Sequence, residues 1–159
     1  MRKRLVYILI SVAFFGLLTL TSCSDENKNQ ITETTITVDM LPEQARDFIK
    51  QFYSDTSVSR IEKDDEDGVT IYKVDFANGH EAVFGSDGEW QQLEAPDGKT
   101  IPSGIVLSSI TEYLGEYYSG YGINEINRTG YGFKLELTPG GLSLMFGPEG
   151  SYVGPVSDN

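Results

Sequence analysis

Two stretches of this chain repeat one another, and the repetition limits its fold more than any other feature. The first copy opens at Leu41-Pro42 and runs through Ala45, Phe48, Ile49 and Phe52; the second opens at Ile101-Pro102 and runs through Ile110, Tyr113, Leu114 and Tyr117. Both sets have the i, i+3, i+4, i+7 spacing of a helix with one buried stripe, which predicts Phe48, Phe52, Tyr113 and Tyr117 in the core. A proline near each start suits a first helical turn. The later parts also match: Tyr72-Lys73-Val74-Asp75-Phe76 corresponds to Phe133-Lys134-Leu135-Glu136-Leu137, each alternating apolar and charged residues with the period of a half-buried strand. Asn78-Gly79 and Gly140-Gly141 then mark tight turns into second strands, Glu81 to Phe84 and Ser143 to Phe146. Val58 to Lys63 and Gly122 to Arg128 supply the strand between helix and hairpin, and Trp90 and Tyr152 begin the last strand of each copy.

This pattern predicts an α+β fold of two repeats, each a helix packed on a roughly four-stranded antiparallel sheet, at residues 37–95 and 99–154. Pro96-Asp97-Gly98 is the expected turn between them. A unit of about 60 residues buries only about 60% of its unfolded surface, so the copies gain from sharing an interface.

The N-terminus reads as an address. Met1-Arg2-Lys3-Arg4 is basic and Leu5 to Leu20 is apolar, a run of 16 residues. Spanning a bilayer takes ~20 residues, so this stretch suits a secretory signal peptide at residues 1–22. Leu20-Thr21-Ser22-Cys23 resembles a bacterial lipobox, which implies a lipid on the Cys23 thiol and an acylated new amine. Ser24-Asp25-Glu26-Asn27 lacks the aspartate directly after cysteine that resembles an inner-membrane retention signal, and it is similar to the surface-export signals of Bacteroidetes lipoproteins. Residues 23–36 are expected to be a polar tether. The expected location is the outer membrane, lipid-anchored and facing the periplasm or the cell surface.

The Val38-Asp39-x-Leu41-Pro42 lead-in, the Phe48-Ile49 helix, the Tyr72 strand, Asn78-Gly79 and Gly88-Glu89-Trp90 resemble the PepSY-like, or β-lactamase-inhibitor-like, family of small bacterial envelope proteins. The resemblance covers Thr37 to Val153. It implies a non-enzymatic module that binds a protein or peptide, or inhibits a hydrolase, and transfers no functional residues. The second copy departs from the pattern in the longer lead-in Ser103 to Val106 and in Tyr152 for Trp90.

Composition closes other routes. The chain has 24 acidic and 12 basic residues and a net charge of −12. Losing Arg2, Lys3 and Arg4 with the signal leaves 9 basic residues against 24, a net of −15. Nucleic-acid affinity rests on cations that neutralise phosphates, so no nucleic-acid partner is expected. Contact with membrane is expected through the lipid alone. One Cys and one His cannot build a thiolate or histidine metal centre, and no cofactor is expected. The charge is uneven: residues 39–98 hold 15 acidic and 5 basic residues, residues 99–159 hold 6 and 3. That asymmetry would steer a basic partner toward the first copy.

Two chemical alternatives compete with simple binding. Asp64-Asp65-Glu66-Asp67-Gly68 is an apparent insertion that could form a calcium loop of a structural or adhesive protein, but the spaced EF-hand pattern is missing and a solvated turn accounts for it better. Asp87 and Glu89 could act as the acid–base pair of a carboxylate hydrolase, but Asp87-Gly88 is also turn chemistry. His80 follows a turn, has no serine partner and is expected to be exposed. No catalytic residue is therefore assigned. Tyr53, Trp90, Tyr118, Tyr121 and Tyr152 lie off the helix stripes or at strand starts, and are the candidates for an aromatic binding surface on a monomer; the competing and slightly favoured reading has Trp90 and Tyr152 capping the sheet against the neighbouring unit.

Overall fold

Strand pairs with strand without a break from one side of the molecule to the other. The computed structural model describes residues 32–66 and 68–156; the signal, Cys23 and most of the tether lie outside them. The strands are β1 (Thr32–Thr35), β2 (Val58–Glu66), β3 (Val69–Phe76), β4 (Glu81–Gly85), β5 (Trp90–Glu94), β6 (Gly122–Thr129), β7 (Gly132–Thr138), β8 (Leu142–Phe146) and β9 (Tyr152–Pro155). They form one antiparallel sheet in sequence order. Helix α1 (Glu43–Phe52) precedes β2 and helix α2 (Ser108–Tyr117) precedes β6.

The expected α+β pair of separate helix-on-sheet repeats is thereby corrected. The molecule is mainly β, a single nine-stranded sheet with two ten-residue helices. The reason lies at β5 and β6, where Gln92, Leu93 and Glu94 pair with Asn127, Ile126 and Glu125. Two separate sheets would leave both of these edges with unpaired N–H and C=O groups, and joining them satisfies both rows. Residues 32–35, expected in the tether, add β1 outside β2. The acidic segment is a hairpin tip, its Asp64, Asp65 and Glu66 continuing β2.

One row of side chains crosses the seam. Register places Ile61 opposite Val74, Val74 opposite Ala82, Ala82 opposite Leu93, Leu93 opposite Ile126, Ile126 opposite Leu135 and Leu135 opposite Leu144. All seven are buried. Both helices cover this face: Phe48 meets Phe84 edge-on at 5.6 Å, and Tyr113 meets Phe146 likewise at 5.6 Å. The copies share their irregularities too, with a bulge between Val58 and Arg60 matched by one between Ile123 and Glu125. Gly88 turns at φ +84°, where a Cβ would lie 2.9 Å from the Ala45 nitrogen, and Gly150 makes the same approach to Ser109 and Ile110. The glycines let each turn before the last strand tuck against a helix start. The helix starts differ: Pro42 directly precedes α1, whereas Leu107 precedes α2 and Pro102 lies further back in the connector.

The connector is held by one residue. Asn124, buried in the second bulge, places its amide nitrogen 2.9, 3.1 and 3.0 Å from the carbonyl oxygens of Ala95, Pro96 and Lys99. Two hydrogens serve three acceptors, so one bond is shared.

Because the row is continuous, the halves are expected to unfold together. Ile126→Ala should cost about 2–5 kcal/mol. Trp90 fluorescence and far-ultraviolet circular dichroism should report a single urea transition moved to lower concentration; separate transitions would contradict a shared core.

Candidate functional site

The two faces of the sheet differ in chemistry. The face away from the helices carries Asp75, Glu81, Glu94, Glu125 and Glu136 at successive register positions on β3 to β7. Like charges directly opposite one another are unfavourable, so this row lowers stability unless neighbours offset it. Part of the offset is visible, since Gln92 and Asn127 donate to the Glu125 carboxylate at 3.1 and 2.7 Å.

Alternation separates the residues of the proposed calcium loop. Asp64 and Asp65 are consecutive in β2 and point to opposite faces. The buried Asp64 pairs with Lys73 at 2.5 Å, and Asp65 pairs with Lys63 at 2.5 Å and accepts from Thr70. Those contacts with Lys63 and Thr70 hold the Asp65 carboxyl below the usual range. Asp67 lies outside the described residues, among which no group of three acidic, His or Cys side chains is placed to hold a metal ion. Asp87 and Glu89 do not form a catalytic pair. Asp87 accepts from the Glu89 backbone N–H at 2.9 Å, and the Glu89 carboxylate meets Arg128 at 2.6 Å.

The five candidate aromatics divide between the copies. Tyr53 is 2% exposed and stacks on Phe76 at 4.1 Å; Trp90 is 7% exposed, lies beside Phe133 and carries the Arg128 guanidinium 4.2 Å above its ring. Neither belongs to an open surface. In the second copy, Tyr152 stacks on Tyr113 at 4.5 Å, Tyr113 lies 4.6 Å from Tyr117 and 6.2 Å from Tyr118, and Tyr118 meets Tyr121 at 6.2 Å. Tyr118, Tyr121 and Tyr152 are thus brought together, joined by Tyr113 and Tyr117, which the helix stripe had assigned to the core. Tyr117 is instead 61% exposed and Tyr121 45%. What could have signalled this is the change from Phe48 and Phe52 to Tyr113 and Tyr117, because a phenol tolerates water where a phenyl ring does not.

Three of these phenols hold their protons more tightly than a free tyrosine. Desolvation raises the Tyr113 pKa, a hydrogen bond with Glu116 raises that of Tyr117, and one with Tyr152 raises that of Tyr118. Tyr118 and Tyr121 also line an open groove of about 380 Å3 with Leu114, Ile123 and Val106. Across the connector lies a cavity of about 430 Å3 bordered by Tyr53, His80, Asp55 and Asn78. His80 is half-buried rather than exposed, its Nε2 3.1 Å from the Thr100 carbonyl oxygen. That oxygen can only accept, so Nε2 carries a hydrogen. Both Nδ1 and the Tyr53 hydroxyl are closed off from solvent and have no hydrogen-bond partner.

The edge strand β9 is a poor acceptor of a further strand. The Ala95 N–H bonds the Asn124 carbonyl at 2.8 Å, which makes Leu93, two residues earlier, a residue that exchanges hydrogen bonds with Ile126. The counterpart of Leu93 is Pro155, opposite Leu144 as Leu93 is opposite Ala82. Proline has no N–H to give, and its presence protects the edge.

The described residues form a helix-backed antiparallel meander of two similar halves. The family model described as "Putative beta-lactamase-inhibitor-like, PepSY-like" matches twice, at residues 26–71 and 70–153, and the chain belongs to this PepSY-like family. Among solved structures, one from Bacteroides vulgatus, described as a "putative periplasmic protein of unknown function", is 29% identical, with a TM-score of 0.74, covering 79% of this chain and 100% of that one. Another, from Bacteroides thetaiotaomicron, is described as a "putative calcium-regulated periplasmic protein"; it is 23% identical, with a TM-score of 0.73 and coverage of 79% and 97%. A further Bacteroides vulgatus periplasmic protein matches at 22% identity and a TM-score of 0.72, with the same coverage. At these last two identities the likeness is one of fold. No curated protein matches.

Burial raises the Tyr53 pKa well above its ordinary 10.0. The folded state therefore keeps a proton that the unfolded chain sheds above pH 10, so this residue's contribution to stability falls as pH rises beyond that point. Tyr53→Phe should remove that part of the alkaline loss, and it also removes a buried hydroxyl without a partner. It is expected to be neutral or stabilising by about 1 kcal/mol at pH 7, read from urea denaturation at pH 7 and pH 10.5.

Proposed function

We infer that the chain is a non-catalytic binding module of the bacterial envelope, held to the outer membrane by lipid on Cys23, that engages a protein or peptide through the tyrosine surface of its second half. Membership of the PepSY-like family and the description of its structural neighbours as periplasmic proteins support the location and the absence of catalysis. One observation carries the choice of surface: Tyr53 and Trp90 of the first copy are buried where Tyr118 and Tyr152 of the second are half-buried, and Tyr117 and Tyr121 beside them are exposed. Rings such as Tyr117 and Tyr121 supply large contact area at little entropic cost, which suits recognition. The net charge of −12 favours encounter with a basic partner. Inhibition of a hydrolase would be one outcome of such binding, supported by the family description alone.

Two experiments test this reading. Cys23→Ala should move the protein from the membrane to the soluble fraction; a processed variant that stays with the membrane would refute the lipid anchor. The released protein should capture an envelope partner that is lost with Tyr117→Ser/Tyr121→Ser, while the melting temperature stays within a few degrees. Undiminished capture would move the binding surface elsewhere.

A further inference from the structure

The duplication supplies an internal comparison for the tyrosine surface. Phe48, Phe52, Tyr53 and Trp90 of the first copy correspond to Tyr113, Tyr117, Tyr118 and Tyr152 of the second. In the first copy, Trp90 is not left bare. Arg128, which belongs to the second half, lays its guanidinium 4.2 Å above the indole and ties itself to Glu89 at 2.6 Å. A cation delivered from β6, a ring and a carboxylate thus form one contact between the halves.

The corresponding rings of the second copy carry no cation over their faces among the described residues. Neither Lys, Arg nor His occurs between Lys99 and Arg128, or anywhere after Lys134. Helix α2 bears Glu112 and Glu116 with no basic residue, whereas α1 carries Arg46 and Lys50. Ser151 stands where Glu89 would be, and a carboxylate beside these rings is that of Glu116, next to Tyr117 on α2 and accepting from its hydroxyl. Neutral aromatic faces beside a carboxylate attract a guanidinium or ammonium group, and the attraction increases as water is excluded.

We propose that the surface formed by Tyr113, Tyr117, Tyr118, Tyr121 and Tyr152 with Glu116 binds an arginine-bearing segment of a partner protein, repeating between molecules the contact that Arg128 makes on Trp90 within the chain. The proposal deepens the binding-module reading and rests on it. Pro155 makes strand addition at β9 unfavourable, so the segment is recognised by its side chains on the rings rather than by backbone pairing. Net acidity brings a cationic segment to the molecule, and the rings decide where it settles.

The test uses a capped Arg-Gly-Arg-Gly-Arg peptide, with the citrulline version as an uncharged counterpart, titrated calorimetrically at physiological salt into the Cys23→Ala protein. Saturable binding of the arginine peptide is expected, with at least tenfold weaker binding of the citrulline one. Tyr117→Ser/Tyr121→Ser should weaken binding by about three- to fivefold per ring. Asp75→Asn/Glu81→Gln, which removes two charges from the far sheet face, should change it less than twofold. The tyrosine variant keeps every charge, so the pair separates ring recognition from general acidity. Equal losses in both variants, or equal binding of the citrulline peptide, would overturn the proposal, as would binding of a neutral hexasaccharide with the same tyrosine dependence in place of the peptide. If the envelope partner is still captured through the tyrosines while the arginine peptide is ignored, the cationic assignment fails and the binding-module reading stands. If no partner is captured by the unsubstituted surface, that broader reading fails on its own evidence.

Discussion

Seven buried side chains from Ile61 to Leu144, one on each of seven neighbouring strands, hold this protein together. Each is the cross-strand neighbour of the next, so the apolar surface buried by one strand continues that buried by its neighbour. The helices sit on this row in equivalent ways, and the glycine turns at Gly88 and Gly150 fit against their starts. The Leu93–Ile126 contact at the centre belongs to neither copy alone. It converts two marginal units into one cooperative core, and Asn124 ties the connector down beside it.

Sharing a frame leaves the copies free to differ where the frame does not constrain them. The first copy fills its aromatic positions with rings that the connector, Phe76 and Arg128 cover. The second uses tyrosines, lacks basic residues nearby, and has no element laid over Tyr117 among the described residues. Duplication thus yields one aromatic cluster that serves the fold and one that faces outward. Pro155 lies in the edge strand on the same side and disfavours the addition of a further strand there.

Much of the local structure was legible in the residues. The stripe through Ala45 and Ile49, the alternation at Tyr72 and Phe133, and the turn glycines place both helices and six hairpin strands, because each signal lies within a few residues of chain. Tyr53 and Tyr117 were read in the wrong sense. Helical spacing put Tyr117 inside and Tyr53 off the stripe, but coverage by other segments decides exposure: Phe76 lies over Tyr53, and no described element lies over Tyr117. The acidic segment misled for a related reason. Its carboxylates are adjacent in sequence, yet strand geometry sends Asp64 and Asp65 to opposite faces and a lysine to each.

By itself the sequence determined the duplication, the order of helix and strands within each copy and the acidic balance, since periodicity, turn chemistry and charge are local or additive properties. Only the tertiary structure decided that the two sheets are one and that Tyr117 and Tyr121 of the second copy are exposed while Tyr53 and Trp90 of the first are buried. Both outcomes depend on which edge meets which edge and which segment covers which ring. Those contacts join residues far apart in the chain, such as Leu93 with Ile126 and Arg128 with Trp90, and no pattern within a single copy encodes them.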